Sequence, residues 1–524
     1  MNPSPEESPR ISRLSGNRWL RRSLVCLGAL AALAVIFYAE EDWRGRRDWN
    51  QYREATEARG ESLDLRSYIP KPVPDDQNFC ATPFLKAFFQ TNAEQRILTN
   101  DLWSRAFIHV TTSFSQKYPG RRHFTDLVAW QQASEAMQFG PLSSRQSFET
   151  TNTSLVARAA AASAVLEGME PDAAVFAELR AASTRDYSLC PVPYNLEHPW
   201  PILSHHLAGM KELCQRLDLE ACAELTAGQN DKALADVKLM LSLGDSLKSE
   251  PYLLSYLVRL YCYQITTGPV WEGLAEHRWN DAQLQEFQAR FLACDFLGDL
   301  DQALKGDRAA GFLMCDRITK KGLLLVADMW IGDSSSAAPP RKAVLKGIGW
   351  AMPAGWYDEE KVNYCRQFEE PFKGFVDFAA KRISPHREPY EATEPLDPYG
   401  VSLLKDALHH RVIAATTLAG LARSAYNASR SQTCANQAAL ACALERYRVA
   451  NGHFPESLDE LTPRFIARPP NDVINGQPYK YRRTSDGQFV LYSVGWNERD
   501  DGGVPGKTLF DQTQGDWVWD YPPF

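Results

Sequence analysis

Residues 206–247 read HLAGMKELCQRLDLEACAELTAGQNDKALADVKLMLSLGDSL, and the spacing of their apolar side chains decides the fold class. Leu213 and Leu217 recur at helical spacing before the turn AGQND, and Val237 and Leu241 recur in the same way after it. The pattern predicts two helices joined by a short turn.

The segments on either side of this pair continue the helical pattern. SLVARAAAASAVLEGM (154–169) is rich in alanine with no helix breaker before Gly168, and EPYLLSYLVRLYCYQI (250–265) is almost entirely apolar. A helix that is apolar on every side belongs in the interior of a bundle. We therefore predict that residues 82–332 form a helical bundle or irregular solenoid, with the helix at 250–265 near its centre.

The overall composition is that of an ordinary globular protein. Of the 524 residues, 44% are hydrophobic and 23% are charged, and the length allows roughly three or four domains of about 150 residues. The net charge of -8 and the pI near 5.8 argue against a nucleic-acid-binding protein, which usually carries a basic stripe. We expect no nucleic-acid partner.

Eleven cysteines are spread along the chain without a CxxC motif. Cys214 and Cys222 are eight residues apart in one helical pattern, and Cys434 and Cys442 repeat this spacing in another. Eight residues of helix span about 12 Å, which is too far for a disulfide. Most of the eleven are therefore expected to be small buried side chains, with one or two disulfides if the bulk of the chain is exported.

The sequence RWLRRSLVCLGALAALAVIFYAEEDWRGRR near the N-terminus is free of charge over residues 23–39. About seventeen residues is the lower limit for a helix that spans a bilayer. The arginines before this stretch, with Trp19 and Tyr38 at its ends, suit an uncleaved anchor. A cleaved signal peptide is the alternative, although no clear A-x-A site follows. We expect a cytoplasmic tail (1–22), a single pass through the inner membrane, and the bulk of the chain in the periplasm.

Segments rich in proline, serine and alanine divide the rest of the chain. IPKPVPDDQNF (69–79) is predicted to be an extended linker, and IGDSSSAAPPRK (331–342) and ISPHREPYEATEPLDPYG (383–400) are predicted to be further breaks. The predicted parts are a juxtamembrane segment and linker (40–81), a helical domain (82–332), a linker with helical segments (333–400), and a long helix with a small α+β domain (401–524).

The last part of the chain changes from a helical pattern to alternating patterns. The helical pattern ends at Asn451-Gly452, which has the form of a helix C-cap. YKYRR (479–483) and QFVLYS (488–493) follow as alternating segments joined by TSDG, a hairpin signal, and DWVW (516–519) is a predicted third strand. This order predicts a helix packed on a small antiparallel sheet. The whole chain is therefore expected to be mainly α, with an α+β C-terminal domain.

This C-terminal segment resembles the C-terminal part of the major pseudopilin of type II secretion. The resemblance rests on ALERYRVANGHFPESLDEL, on the PPND segment, on the hairpin, and on LYSVG before an acidic, glycine-rich loop. It implies that the loop after the second strand holds a calcium ion. The ligands that the resemblance implies are Ser493, Asn497, Asp500 and Asp501, with Asp516 reaching across the loop.

Two features depart from the pseudopilin pattern. The N-terminus lacks the Gly-Phe-Thr-Leu-x-Glu membrane helix of that family, and the similar segment follows a long stretch of unrelated sequence. We therefore interpret it as a pseudopilin-like module and not as a sign of a fibre subunit. Over its whole length the chain resembles large membrane-anchored proteins of Verrucomicrobia-type bacteria, which bears on its location more than on its function.

The loop LYSVGWNERDDGG (491–503) has two other interpretations. In an acidic turn, Asp and Asn side chains bond their own backbone while glycines take positive φ. DGGVPGKT (501–508) nearly spells a phosphate-binding loop, but Asp501 stands where the first glycine is needed and no helix is predicted after Lys507. The acidic turn and calcium both stay open, and we expect no nucleotide.

The remaining polar motifs do not indicate a reaction. His205-His206 and His409-His410 are adjacent pairs, and neighbours on a helix point about 100° apart, which makes a poor chelate. The charged residues of LKGDRAAGF, which we expect on a solvated helix face, are Lys305, Asp307 and Arg308.

The sequence favours a non-enzymatic, membrane-anchored scaffold or interaction protein of the envelope, with protein partners, beside a secretion or pilus-like assembly. The alternative is an envelope hydrolase, which would require a pocket lined by convergent carboxylates or histidines in the helical region. No catalytic residue is predicted.

Overall fold

The computed structural model confirms the mainly α architecture with small antiparallel sheets towards the C-terminus. The residues it describes are 16–89, 120–137, 155–194, 196, 205–321, 351–388, 410 and 421–521. The chain divides into two compact units. The first unit comprises Met1–Glu61, Met314–Arg366 and Glu394–Thr417, and the second comprises Ser62–Leu313, Gln367–Thr393 and Leu418–Phe524. The boundaries predicted near residues 332 and 400 lie outside the described residues.

The elements are named in chain order. The α-helices of the described residues are α1 (Gly16–Ala58), α2 (Pro83–Ala87), α3 (Leu127–Met137), α4 (Leu155–Met169), α5 (Ala173–Ala182), α6 (His205–Thr226), α7 (Asn230–Asp245), α8 (Leu253–Ala275), α9 (Asp281–Leu292), α10 (Phe296–Lys321), α11 (Ala354–Gln367) and α12 (Ala422–Asn451). The strands are β1 (Val376–Asp377), β2 (Arg382–Ile383), β3 (Lys480–Arg483), β4 (Phe489–Ser493) and β5 (Trp517–Asp520).

The first unit is built on α1, a helix of 43 residues. Its apolar part includes an 18-residue window of mean hydropathy 2.0, none of which is buried inside the protein. Among the described residues it is the one helix long and apolar enough to cross a membrane, in agreement with the span predicted at 23–39. A helix of this length measures about 65 Å, whereas a bilayer core is about 30 Å thick. The juxtamembrane segment therefore begins as a continuation of α1, which ends before Gly60 (φ 74°).

α1 and α11 cross with their backbones in contact. A Cβ atom on Gly45 would lie 2.0 Å from the carbonyl oxygen of Gly355, and a Cβ atom on Gly355 would lie 2.0 Å from that of Glu41. Beside the crossing, Gly355 N–H donates to Asp42 Oδ1 (2.8 Å) and Trp356 Nε1 donates to Glu41 Oε2 (2.8 Å). Asp42 thus places negative charge at the N-terminus of α11, where it is favourable. Only glycine permits this crossing.

The second unit has α8 at its centre. α8 packs against α6, α7 and α12, which agrees with the central position predicted from the segment 250–265. α6 and α7 are the helix pair predicted from 206–247, and the turn between them contains Gly228 at φ 74°. α8 is longer than its predicted pattern because it continues through Pro269 to Ala275.

α12 joins the helices to the C-terminal sheet. It is buried over most of its length, and its side chains there are mainly Ala, Ser, Cys, Thr and Asn, which let neighbouring elements approach closely. Gln437 Nε2 donates to the carbonyl oxygen of Trp517 in β5 (2.7 Å), and Trp271 of α8 donates to that of Asp520 (3.0 Å). Gly452 ends α12 at φ 83°, as the sequence predicts.

The C-terminal sheet has the order β3-β4-β5 and is antiparallel throughout. Its central strand β4 is buried at every position, although its alternating sequence suggests one exposed face. The second face is covered by the loop that follows β4. A Cβ atom on Gly503 would lie 3.0 Å from Val490 Cγ1 and 3.2 Å from the ring of Tyr492, so the loop lies directly on the strand.

The prediction that LKGDRAAGF lies on a solvated face of α10 was wrong. Arg308 is 2% exposed and donates to Glu369 Oε1 (2.7 Å). Asp307 accepts the N–H of Leu253 at the start of α8 (3.3 Å), and burial raises the pKa of Asp307 to about 7. The face turns inward because Gly306 lets the segment before α8 approach. A Cβ atom on Gly306 would lie 2.3 Å from the backbone oxygen of Pro251 in that segment.

The predicted linker at 69–79 is hydrogen-bonded to the segment that follows α5. It contains a 3-10 turn (Asp75–Gln77), and a second 3-10 turn (Phe79–Ala81) begins where it meets residues 187–190. Asn78 Nδ2 donates to the carbonyl oxygen of Leu189 (2.8 Å), and Leu189 N–H donates to Asn78 Oδ1 (2.8 Å). The sulfur atoms of the buried residues Cys80 and Cys190 lie 3.4 Å apart as free thiols.

Candidate functional site

The predicted calcium loop is held over the sheet by bonds from carboxylates to backbone. Asp516, just before β5, is 1% exposed. Its Oδ1 accepts the N–H of Asp501 (3.2 Å) and its Oδ2 accepts the N–H of Gly503 (2.7 Å). Burial and the charges of Asp501 and Asp500 raise the pKa of Asp516 to about 6, against the opposing effect of these two hydrogen bonds.

Asp501 and Asp500 point in different directions. Asp501 Oδ2 accepts from Asn497 Nδ2 (2.9 Å) and from the N–H of Gly515 (3.1 Å). Asp500 Oδ1 instead accepts from the hydroxyl of Tyr492 (3.1 Å) and from the N–H of Gly502 (3.1 Å), and the Gly502 bond helps to hold the pKa of Asp500 below its usual value. The structure therefore groups Asn497, Asp501 and Asp516, with Asp500 tied to the sheet.

Ser493 lies on the other side of the strand end, and it is fully buried. Its Oγ accepts the N–H of Gly495 (3.2 Å), and its neighbour is Asp472, a residue that the sequence did not single out. Asp472 accepts the N–H groups of Ile474 (3.0 Å) and Val494 (3.2 Å). Asp472 thus anchors the start of the loop, which a PPND motif alone does not reveal.

The five predicted ligands are therefore distributed over three places in the fold. Gly502 and Gly503 have φ values of 72° and 79°, and most of the loop's carboxylate oxygens bind backbone N–H groups, as in an acidic turn. Carboxylate and amide oxygens are also the ligands that calcium prefers. Calcium binding by this loop stays a prediction.

A second polar group lies between α5, α6 and α7. Glu220, Glu224 and Asp236 each offer one oxygen atom within 4.8 Å of the others. Arg180 of α5 donates Nε to Asp236 Oδ1 (2.8 Å) and makes a second bond there through Nη2. Asp236 is fully buried and Glu224 is 3% exposed. We call Glu220, Glu224 and Asp236 the carboxylate cluster.

Burial raises the pKa of every member of the carboxylate cluster. The pKa of Glu224 is raised to about 9 and that of Glu220 to about 7, because each is buried and faces Asp236. The pKa of Asp236 is raised only to about 6, since Arg180 opposes the effect of burial. Three carboxylates against one guanidinium leave two negative charges uncompensated when all are ionised.

The sequence carried a signal for this cluster that was missed. Ala233, Val237 and Met240 mark the buried face of α7, and Asp236 falls on that same face because it is three residues after the first and four before the last. An acidic residue among the apolar positions of a helix needs a buried partner. Which partner it meets depends on α5 and α6.

A buried histidine lies in α6. His206 Nε2 is 3.0 Å from Glu250 Oε1, and Ser255 donates to Glu250 Oε2 (2.5 Å). All three residues are buried. In a nucleophilic triad the imidazole lies between the hydroxyl and the carboxylate, whereas here the carboxylate lies in the middle. This arrangement therefore does not activate the serine.

Glu250 also borders an open groove of about 310 Å³ in the second unit. Arg259 and Asp299 line the same groove and form an ion pair (2.6 Å), and Tyr68 also lines it. The hydrolase alternative requires a pocket lined by carboxylates or histidines. This groove has a carboxylate on its wall with a buried histidine behind it. Along the described groove wall, the hydroxyl of Tyr256 donates to the carbonyl oxygen of Phe296 (2.7 Å), and the hydroxyl of Ser67 lies 2.9 Å from that of Ser62.

No protein-family model, no curated protein and no solved structure matches the chain. The fold itself defines the class: a mainly α protein with a candidate membrane helix at its N-terminus and a small antiparallel sheet near its C-terminus. The two resemblances drawn from the sequence stay expectations.

Proposed function

We propose that this chain is a single-pass membrane protein of the bacterial envelope that acts as a non-enzymatic scaffold or interaction protein. The observation that carries the proposal is the exposure of the apolar part of α1. Leu30 and Leu33 are 62% and 63% exposed, and the whole apolar window is uncovered. A contiguous apolar surface of this length is stable only against lipid or another protein.

The way in which α1 leaves this apolar stretch supports an anchoring role. Directly after it, Glu41 and Asp42 bind α11, and Gly45 lets the two helices touch. A helix that continues from the apolar stretch into a packed unit holds that unit at a defined place beside the membrane.

Buried ion pairs support a scaffolding role for the second unit. Arg259 pairs with Asp299 (2.6 Å), and Arg216 pairs with Asp172 (2.5 Å). These pairs join different helices, and burying such charges favours one arrangement of the helices over its alternatives, because an unpaired buried charge is costly.

Membrane extraction and topology mapping test the anchor. We expect the full-length protein to stay in the membrane after a carbonate wash, and a C-terminal reporter that is active only outside the cytoplasm to be active. The double variant Leu30→Arg, Leu33→Arg is expected to release the protein, while the same change at two exposed polar positions is not. Release of the wild type by carbonate would contradict the anchor, and an inactive reporter would contradict the orientation.

Crosslinking in cells tests the scaffold. A photoreactive residue at an exposed position such as Val504, which is 61% exposed, is expected to give a discrete crosslinked product that contains a component of a secretion or pilus-like assembly. A residue placed at buried Leu491 is the control and is expected to give none. Discrete products confined to other classes of protein would contradict the proposed assembly.

The envelope hydrolase remains the second candidate because Glu250 borders the groove. It predicts turnover of a chromogenic ester, a phosphate ester or peptidoglycan that Glu250→Gln abolishes. Glu286→Gln, at an exposed ion pair with Lys238 (2.7 Å), is the control. Turnover that survives Glu250→Gln would contradict an enzymatic role for this groove.

Calcium binding by the C-terminal loop is part of the same proposal. The negative charge of Asp501 helps to raise the pKa of the buried Asp516, and a cation at the loop would favour the ionised form of both, which supports calcium binding. Titration calorimetry of the full-length protein is expected to show calcium binding that Asp501→Asn weakens. Unchanged affinity in that variant would contradict a site in the loop.

A further inference from the structure

The carboxylate cluster has three oxygen atoms that no donor satisfies. Within the described part of the chain, Glu220 Oε2, Glu224 Oε2 and Asp236 Oδ2 are buried and accept no hydrogen bond. Glu224 and Asp236 are at least nine-tenths buried. Unsatisfied carboxylate oxygens in such positions destabilise the fold unless a cation or protons accompany them.

Arg180 compensates only part of this charge. Its guanidinium bonds to Asp236 Oδ1 and lies 3.5 Å from Glu220 Oε2. Because Arg180 binds only Oδ1, it orients the carboxylate of Asp236 and leaves Oδ2 without a hydrogen bond. In metal sites, a partner on the far oxygen of a ligand has this same orienting effect.

We propose that the carboxylate cluster binds one hard divalent cation, of the class of Ca²⁺ or Mn²⁺. The ligand atoms are all carboxylate oxygens, which these cations prefer to nitrogen or sulfur. They lie within 4.8 Å of one another, and two oxygens on opposite sides of a calcium ion are about 4.8 Å apart. The positive charge of the cation offsets the negative charge that Arg180 leaves uncompensated.

The charged groups around the cluster are Arg180 and Asp172 from α5 and the segment before it, Glu220 and Glu224 from α6, and Asp236 and Lys232 from α7. Burial and the charge of Asp236 raise the pKa of Glu224. A bound cation favours the ionised form of its carboxylate ligands.

Calorimetry on the intact protein tests the cation. The full-length chain in detergent is freed of metal with EDTA and titrated with Ca²⁺ and with Mn²⁺ at pH 8. We expect one cation per chain at the carboxylate cluster, besides the calcium ion proposed for the C-terminal loop. No heat and no shift in melting temperature at millimolar cation would overturn the proposal.

Matched variants locate the cation. We expect Glu224→Gln to weaken binding at least tenfold and to remove the signal of immobilised Mn²⁺ from the electron paramagnetic resonance spectrum. Glu286→Gln on α9 is expected to leave both unchanged, and Asp501→Asn is expected to affect only the calcium proposed for the C-terminal loop. If Glu224→Gln gives no cooperative melt, Glu220→Gln, at a side chain that is 12% exposed, replaces it.

The variants also separate this site from the C-terminal loop. Binding that survives Glu224→Gln and Glu220→Gln but is lost in Asp501→Asn would place the cation in the loop and overturn the proposal. The same outcome would support calcium binding by the loop, so the experiment distinguishes failure of the carboxylate cluster from failure of the loop as a cation site.

Discussion

Oxidation of Cys80 and Cys190 provides a direct test of the proposed location. Their sulfur atoms lie 3.4 Å apart, and the bonds of Asn78 to Leu189 fix the two segments beside each other. If the bulk of the chain is in the periplasm, we predict a disulfide here. Its formation passes two electrons and two protons to the disulfide of a thiol–disulfide oxidoreductase, which is reduced to two thiols.

The structure gives the size of the effect. The two cysteines are 110 residues apart, and closing a loop of that length lowers the entropy of the unfolded chain by the equivalent of about 4.8 kcal/mol. Reduction, or the change Cys190→Ser, is expected to lower the free energy of unfolding by up to about this amount. The Cys80 thiol and burial raise the pKa of Cys190 well above its usual value, so the bond is expected to form before the site is buried.

Alkylation followed by mass spectrometry measures the redox state. The protein is taken from envelopes, denatured, and alkylated with and without prior reduction. We expect Cys80 and Cys190 to react only after reduction. Cys442, equally buried in α12, is the control and is expected to react in both cases. Thermal unfolding with and without reductant then measures the stabilisation.

The topology reporter decides what a negative result means. Free Cys80 and Cys190 in a protein whose C-terminal reporter is outside the cytoplasm would refute the predicted disulfide. Free thiols together with a cytoplasmic reporter would instead refute the proposed location, since cytoplasmic thiols stay reduced.

Three further predictions concern packing and charge. Gly45→Leu is expected to speed hydrogen exchange in α11 by about 5–150-fold, because overpacking costs about 1–3 kcal/mol, while Gly28→Leu, with no atom within 4 Å of its Cβ position, is expected to leave that exchange unchanged. Gly503→Ala is expected to lower the melting temperature more than Gly502→Ala, because both residues have positive φ but only the first would press on β4; equal losses would show that backbone strain alone matters. The pKa of Asp516 is near 6 in the folded protein, above its value of about 3.9 in the unfolded chain. The folded state therefore favours the protonated form, and the free energy of unfolding is expected to fall by about 2 kcal/mol as the pH rises from 4 to 6. Melting in EDTA is expected to show a flatter pH dependence for Asp516→Asn, and parallel curves would contradict this.

Much of the architecture could be predicted because it depends on local patterns. The helix pair at 206–247, the C-cap at Gly452 and the three C-terminal strands follow from periodicity and turn residues. The acidic loop after β4 was also recognisable, yet its carboxylates divide between backbone caps and the sheet. That division depends on Asp472 and on the cover that the loop forms over β4, neither of which has a local signal.

The charged residues show most clearly what local sequence patterns do not predict. Arg308 looked like a surface residue and is buried, because Gly306 lets another segment approach α10. Asp236 was not singled out from the sequence, and its place beside Glu220 and Glu224 arises only when α6 and α7 pack against each other.

The sequence by itself determined the class of secondary structure and the apolar helix at the N-terminus, since periodicity and apolar length are properties of a continuous stretch of chain. Only the tertiary structure decided which charges are buried, which oxygens lie unsatisfied and which cysteines meet. Those properties depend on distances between residues far apart in the chain, and a shift of one helix turn would bring different side chains together.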